Sequence, residues 1–223
     1  MTDKKRRETS SSQLGRRRKT ARAKDQAAYA ARREELIAHA AEVFSKEGYD
    51  RTTLSDIAER AGTDRASVYY YVSSKEELFQ EVCSGMLEQN LAAAEEIAMR
   101  DNAPREKLEL IIAHHMSTHE RGFPQWSVLV QEMRRITGAD TTWTRDAVEK
   151  MRRYEAIVRS ILEDGIADGT IRADVPSRLA MNAIFGMLNW THRWFRPDGQ
   201  YNAAQVAAAF AAITLDGLSK DTE

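Results

Sequence analysis

Between positions 65 and 70 the chain sets a guanidinium and three hydroxyl groups close together, in Arg65, Ser67, Tyr69 and Tyr70. Such side chains, projecting from a helix laid in a major groove, hydrogen-bond to base edges and phosphate oxygens. There Arg65 can grip guanine with both arms of its fork, Ser67 can make a short hydrogen bond to either strand, and Ala66 permits close approach or touches a thymine methyl. Thr53, Tyr69, Tyr70 and Lys75 read as phosphate clamps, because hydroxyl and ammonium donors fix register without reading sequence. A second constellation runs from His114 to Glu120. On a helix, His115 and His119 share a face and could offer two nitrogens to zinc, with an oxygen from Glu120. The glutamate that HExxH sites carry between the histidines is missing, and surface histidines explain the pattern better. The sequence holds no glycine-rich phosphate loop, G-x-S-x-G elbow or Cys/His pair with suitable flanks, so an enzyme has little support.

Those donors need a rigid frame, and the residues around them supply one. Thr53 can cap a helix with Asp56 completing a capping box, and Leu54, Ile57, Ala58 and Ala61 follow at helical spacing. Gly62 stops that helix, and Asp64 can cap a second one whose Val68 and Val72 face the first. Tyr71 is expected in the small core beside Phe44 and Val72 rather than on the polar face. Upstream, 33–48 reads as an amphipathic helix with Leu36, Ile37, Ala40, Val43 and Phe44 on one side and Gly48 at its end. Downstream, Ser74-Lys75-Glu76-Glu77 reads as another capping box, with Lys75 at the start of a long helix where backbone N–H groups and an ammonium can share a phosphate.

The order FSKEGYDRTTLSDIAERAG, then VYYYV, then SSKEEL resembles the N-terminal domain of the TetR family of bacterial one-component repressors. The resemblance implies a three-helix helix-turn-helix unit that reads duplex DNA, and it supports the roles given above to Thr53, Arg65, Ala66, Ser67, Tyr69, Tyr70 and Lys75.

Residues 1 to 24 carry ten Lys/Arg against Asp3 and Glu8, a local net of +8 that leaves −9 for the remainder of a chain whose overall charge is −1. With almost no apolar residues this arm is expected to be disordered, and Arg16, Arg17 and Arg18 are expected along phosphates or in an adjacent minor groove. Its affinity would be salt-sensitive and largely indifferent to sequence. A helical RNA-binding scaffold would account for the arm but not for the face from Thr53 to Val72.

Length and composition suit this trio plus one larger helical domain: 223 residues, 42% apolar, four prolines, eleven glycines and no alternation of Val and Ile. The expected fold is all-α, organised as a basic arm over 1–27, a helix-turn-helix domain over 28–78, and an effector-binding and dimerisation domain over 79–223. Cys83 is the sole cysteine, so an intramolecular disulfide is impossible and a buried thiol is expected. No segment approaches the roughly 20 apolar residues that span a bilayer, and no signal peptide is evident; a cytoplasmic protein with no membrane partner is expected.

Breaks near Asn102-Ala103-Pro104, Gly122-Phe123-Pro124, Gly138, Gly169 and 196–199 mark about five further helices, with starts at Pro104, Ser127, Thr141, Ser177 and Asn202, the last boxed by Gln205. One recognition helix covers only a few base pairs, so a homodimer reading a palindrome is expected. The resemblance places its interface on the last two long helices, here 177–195 and 202–218.

The segment FGMLNWTHRWFRPDG, with LVQEMRRITG before it, is similar to the regulatory domain of TetR-like repressors of fatty-acid and sterol catabolism that respond to acyl-CoA thioesters. That similarity implies an apolar pocket lined by Trp126, Val130, Met133, Phe185, Trp190 and Trp194, rimmed by Arg134, Arg135, Arg193 and Arg196 for a polyanionic head. A different hydrophobic effector, as in regulators of efflux or other metabolism, is the alternative. No cofactor and no metal are expected.

Overall fold

The computed structural model describes residues 26–218, and these are all-α, with no strand among them. Helix α1 covers 26–47, starting earlier than the expected 33. It buries Leu36, Ala40, Ala41, Val43 and Phe44, leaving Ile37 half-buried. It ends at Gly48, whose φ of 81° lies in the left-handed region that glycine adopts without steric cost. Helix α2, Leu54–Arg60, opens with the expected box: the Thr53 amide donates to Asp56 at 2.7 Å and the Asp56 amide donates to the Thr53 hydroxyl at 3.3 Å. Gly62, at φ 64°, turns the chain. Asp64 then caps α3, Arg65–Tyr71, by accepting from the Ser67 amide at 2.7 Å.

Helix α4, Lys75–Ala98, crosses the expected 78/79 boundary without a break. The Ser74 hydroxyl accepts from the Glu77 amide at 3.1 Å, but the Glu77 carboxylate reaches back to Ser73 instead of Ser74, taking both its amide and its hydroxyl at 2.7 Å. Ile57, Val68, Val72, Leu78 and Phe79 close the small core, each contributing roughly 1.5–3 kcal/mol. That core continues into Trp126, Val128, Leu129, Ile136 and Ala147 of the larger domain. Tyr71 is half-buried against it, but its ring packs on Tyr29 of α1, centroids 5.0 Å apart, rather than standing beside Phe44.

The larger domain comprises α5 Pro104–Arg121, α6 Phe123–Gln131, α7 Met133–Gly138, α8 Thr142–Ala167, α9 Ser177–Trp190 and α10 Ala203–Ala211. A 3-10 turn follows α9 over Thr191–Arg193, and a π turn, Ala212–Asp216, follows α10. The starts at Pro104, Thr141, Ser177 and Asn202 hold, Asn202 with its Gln205 box. The start at Ser127 does not. Helix α6 begins at Phe123, because Pro124 falls in the first turn, where its missing N–H costs nothing. The corner at Glu132 that divides α6 from α7 contains no glycine or proline to announce it. Cys83 is buried, and burial pushes its thiol well above the ordinary range.

His115 and His119 correct the sequence reading: they are 3% and 0% exposed, inside the bundle rather than on its surface. Glu120 is not their partner, since its carboxylate accepts from the Ala203 amide at 3.0 Å and anchors α10. Among the described residues no group of three or more His, Cys, Asp or Glu is placed to hold a metal. Burial drives His115 down to about 3, with His114 adding to the effect, and lowers His119 as well. Both rings therefore stay neutral when folded, while the unfolded chain protonates them from about pH 6.5 downward. The unfolded state then binds more protons, so stability falls with falling pH from about 6.5 toward about 3, by up to about 1.4 kcal/mol per pH unit for each ring. Melting curves between about pH 7 and about pH 5 should show a falling Tm. His119→Phe should show a smaller fall; an equal fall would refute the neutral burial.

Candidate DNA-reading face and effector cavity

Helix α3 is short, and its position comes from its surroundings. Val68 pins it to the core, and Arg32 of α1 donates to the Ala61 carbonyl in the turn at 3.3 Å. Arg65, Ala66, Tyr69 and Tyr70 project outward, Tyr70 being 71% exposed. Arg65 is not a loose cation: its Nη2 donates to the Tyr69 hydroxyl at 3.0 Å, and its guanidinium lies 5.4 Å from that ring's centroid. Tyr70 meets Tyr71 and Tyr29 edge-on, at 5.1 and 5.8 Å. Ser67 stands apart from this face. It is half-buried in a crevice with Arg32, Leu36 and Tyr71, because its position in the helix turns it toward α1.

Thr53 is exposed, with its hydroxyl engaged by Asp56 at 2.8 Å. Lys75 is turned inward. Its ammonium donates to the carbonyls of Tyr49 and Thr52, both at 2.8 Å, and lies 4.2 Å from the Tyr49 ring centroid, which leaves one N–H for a phosphate. Arg16, Arg17 and Arg18 lie outside the described residues.

Tyr49, which the sequence reading passed over, joins the two halves of the chain. Its ring packs on Phe44 and Phe79, and its hydroxyl donates to Glu76 at 2.6 Å. Burial, then the Glu76 carboxylate, holds that phenol far above its ordinary range. Its amide donates to Glu132 at the α6/α7 corner, at 3.4 Å. Arg135 also lies over the ring, 4.5 Å from the centroid, while pairing with Asp50 and with Glu132.

A cavity of about 410 Å³ lies between α4, α5, α6, α7, α8 and α9, within the size range of small-molecule sites. Leu87, Leu129, Met133, Val148, Met151 and Phe185 supply its apolar lining, and Trp126, Asn90, His115, Tyr154 and Asn189 its polar atoms. Lys150, Arg152 and Glu155 also border it; Arg152 and Glu155 are exposed, and Lys150 bridges Glu88 and Asp146, each at 2.8 Å.

Of the expected lining residues, Trp126, Met133 and Phe185 border this space. Val130 is instead half-buried against the N-terminal core, and Arg134 points to solvent. Trp190, 58% exposed, carries Arg193 over its ring at 5.0 Å on the outer surface. Trp194 packs edge-on against Phe210, and Arg196 lies over Phe123 at 5.2 Å and donates to the Phe195 carbonyl at 2.7 Å. Helix α9 turns its Phe185 face inward, and the turn after Trp190 carries these last residues away from the cavity. His115, Asn90 and Tyr154 were missed because only convergence of three helices brings them together. The one sequence signal was the pair at His115 and His119, which was read as a surface feature.

Comparison with known proteins agrees with this geometry. Residues 36–82 match the family described as bacterial regulatory proteins, tetR family, and residues 101–218 match the tetracyclin repressor-like C-terminal domain. The chain is 29% identical to the HTH-type transcriptional repressor KstR2 of Mycolicibacterium smegmatis, over 86% of this chain and 92% of that protein. It is 26% identical to the fatty acid metabolism regulator protein of Bacillus subtilis, over 82% and 94%. The solved structure of the ketosteroid transcriptional regulator KstR2 of Mycobacterium tuberculosis superposes with a TM-score of 0.81 at 28% identity, over 85% and 96% of the two chains. These relatives are transcriptional regulators rather than enzymes. With its helix-turn-helix unit and helical effector domain, the chain belongs to the TetR family of bacterial transcriptional regulators.

Proposed function

We propose that the protein is a cytoplasmic repressor that binds a palindromic operator as a homodimer and is released by a small-molecule effector, an acyl-CoA thioester of lipid or sterol catabolism. The observation that carries this reading is the continuity of α4. The same helix begins beside the DNA-reading face and presents Leu87 and Asn90 to the cavity. A ligand that alters the tilt of α4 therefore alters the placement of α3. The ketosteroid term in the name of the Mycobacterium tuberculosis structure and the fatty-acid term in that of the Bacillus relative favour a lipid-derived effector. The apolar lining suits an acyl chain; at its border stand exposed Arg152, Lys150 paired with Glu88 and Asp146, and the carboxylate Glu155, whereas Arg134, Arg193 and Arg196 lie away from it. Among the described residues no helix is long and apolar enough to cross a membrane.

The proposed base contacts run through Arg65 and Ala66, with Tyr69 holding the guanidinium and Tyr70 and Thr53 toward phosphates. Arg16, Arg17 and Arg18 add salt-sensitive affinity. A second route from ligand to DNA passes through the α6/α7 corner: Met133 borders the cavity, Glu132 holds the Tyr49 amide, and Arg135 holds Asp50. A coupling of about 1–3 kcal/mol between the two sites weakens operator binding about 5–150-fold, and DNA weakens effector binding by the same factor. The homodimer is favoured by the apolar side chains that α9, α10 and the turns after them leave in solvent, including Leu179, Trp190, Trp194 and Ile213, the last 69% exposed. Large apolar side chains exposed on the last helices suit an interface with a second copy.

The scheme as a whole is tested by a mobility shift on DNA flanking the gene, against random duplex and single-stranded RNA, with and without a long-chain acyl-CoA. Selective duplex binding released by acyl-CoA but not by free CoA is the expected result; no duplex preference would overturn it. Arg65→Ala should cost about 1–3 kcal/mol of operator affinity and relax one base preference, so unchanged selectivity would remove Arg65 from the reading face. Arg135→Ala should leave effector affinity intact while reducing the fold-release of DNA, measured by titrating each ligand in the presence of the other. Ile213→Glu should shift the protein toward monomer in sedimentation equilibrium; a dimer of unchanged affinity would move the interface elsewhere.

A further inference from the structure

Helix α6 has a space on each side of it. Trp126 and Leu129 border the effector cavity, whereas Phe123, Pro124, Ser127 and Gln131 border a second cleft, of about 320 Å³. Lys46, in the last turn of α1, forms the wall of this cleft that belongs to the reading half, with Glu42 one turn earlier. His192, in the turn after α9, and Arg196, in the loop beyond it, form the opposite wall. The direction of α9 that carries Arg196 away from the effector cavity therefore delivers it to the far side of α6, against α1.

The polar groups of this cleft are weighted toward donors and positive charge. Lys46 is exposed, and among the described residues neither it nor Arg196 pairs with a carboxylate. Arg196 spends one N–H on the Phe195 carbonyl at 2.7 Å, which holds its guanidinium over the Phe123 ring and leaves its other N–H groups for a ligand. Gln131 donates from Nε2 to the Ser127 hydroxyl at 2.7 Å and keeps a second N–H; turning the amide over, so that the hydroxyl donates to Oε1, frees both. His192 holds its proton on Nδ1, 2.7 Å from the Asn189 carbonyl, so Nε2 becomes a donor when the ring is protonated. The carboxylate on the wall, Glu42, is engaged by Arg60 of α2. An anion between Lys46 and Arg196 thus meets two opposite charges and a neutral donor, and such charge-assisted bonds are the strong ones. A phosphate fits the layout better than a carboxylate, because three terminal oxygens can address separate walls whereas two lie in one plane. The volume reaches the lower end of small-molecule sites, about 300–1,000 Å³, so a small organic body can accompany the phosphate on the apolar floor of Phe123 and Pro124.

We infer that this cleft binds a phosphate monoester, held between Lys46 of the reading half and Arg196 of the sensing half. An occupant ties the two halves together at a point separate from α4, on the side of α6 opposite the effector, and so biases the placement of α1 relative to the bundle. The site stands whether or not the effector is an acyl-CoA. Its phosphate comes either from a separate small metabolite or from the nucleotide end of a CoA, and the chemistry of recognition is the same for both.

The test is isothermal titration of the full-length protein, at fixed ionic strength, with glycerol 3-phosphate, CoA, dephospho-CoA and succinate, repeated on Lys46→Gln, Lys46→Arg and Arg196→Gln. The expected result is that glycerol 3-phosphate or CoA binds, that succinate binds about tenfold or more weakly, and that Lys46→Gln and Arg196→Gln each weaken the bound monoester about tenfold or more. Lys46→Arg, which keeps the charge, should retain most of the affinity. Binding of glycerol 3-phosphate identifies a separate metabolite; binding of CoA but not of dephospho-CoA, lost in the same two variants, identifies the nucleotide end. Phosphate held by the basic arm would survive both changes, and that outcome overturns the site. So does equal binding of succinate, or no binding of either monoester. Loss in one variant alone places the anion on one half and overturns the bridge. Should Arg196→Gln lack a native melting transition, Lys46→Gln, at an exposed position, still decides the site.

Discussion

One helix has to be buried in two cores at once, and the rest of the molecule is arranged around that demand. The first turns of α4 put Leu78, Phe79, Val82, Cys83, Met86 and Leu87 into the N-terminal core, and Ile97 near its end joins the core shared with α5, α8 and α9. Apolar burial is non-directional, but a close-packed interior is not continuously deformable. A change in the position of α4 in one core must therefore be accommodated in the other. This makes the helix a lever without a hinge between its ends, and it makes the cavity beside Leu87 and Asn90 a place where a small volume of ligand has mechanical effect.

Polar groups divide the labour by depth. At the surface, ion pairs such as Arg33 with Glu77 and Glu81 tie α1 to α4 at modest energy. At the seam between the halves, the carboxylates and cations around Tyr49 fix one loop, residues 48–53, that carries the entrance to the reading unit. In the bundle, the buried polar groups are uncharged: the imidazoles of His115 and His119, the Tyr154 phenol, the Trp126 indole, the Asn90 amide and hydroxyls such as those of Thr118 and Thr191. The seam carries directional contacts that can be remade in a second arrangement, whereas deep in the bundle the Nε2 atoms of His115 and His119 and the Trp126 indole nitrogen are buried without a hydrogen-bond partner.

The legible parts of the sequence were those decided by neighbours along the chain. Thr53 with Asp56, Asp64 with Ser67, Asn202 with Gln205, and the glycines at 48 and 62 each involve residues within a turn of one another, and all stand as read. The Glu132 corner has no local signal: no residue there breaks helices, and the contact it makes with the Tyr49 amide comes from far along the chain. Trp190, Arg193 and Arg196 misled because density of aromatic and basic residues says nothing of direction, and α9 sends them outward. His115 was misread for the opposite reason. The string from His114 to Glu120 around it is mostly polar, whereas the α5 face on which it sits, with Leu108, Ile111, Ile112 and Met116, is interior. Ser67, on the same short helix as Arg65 and Tyr69, is half-buried toward α1, a direction that spacing alone does not give.

The rings of Phe44, Tyr49, Phe79 and Trp143 meet across the seam at centroid distances between 4.8 and 6.3 Å, with the Trp143 indole donating to Ser84 of α4 at 2.9 Å. Phe44 and Tyr49 come from the reading half, Phe79 from the shared helix, and Trp143 from α8. A graft that moves this DNA reader onto a different sensing body cannot simply be spliced at the first turn of α4. It must bring an aromatic partner for Phe79 and a counter-surface for the Tyr49 loop, or the reader arrives with a raw edge where its own core used to continue.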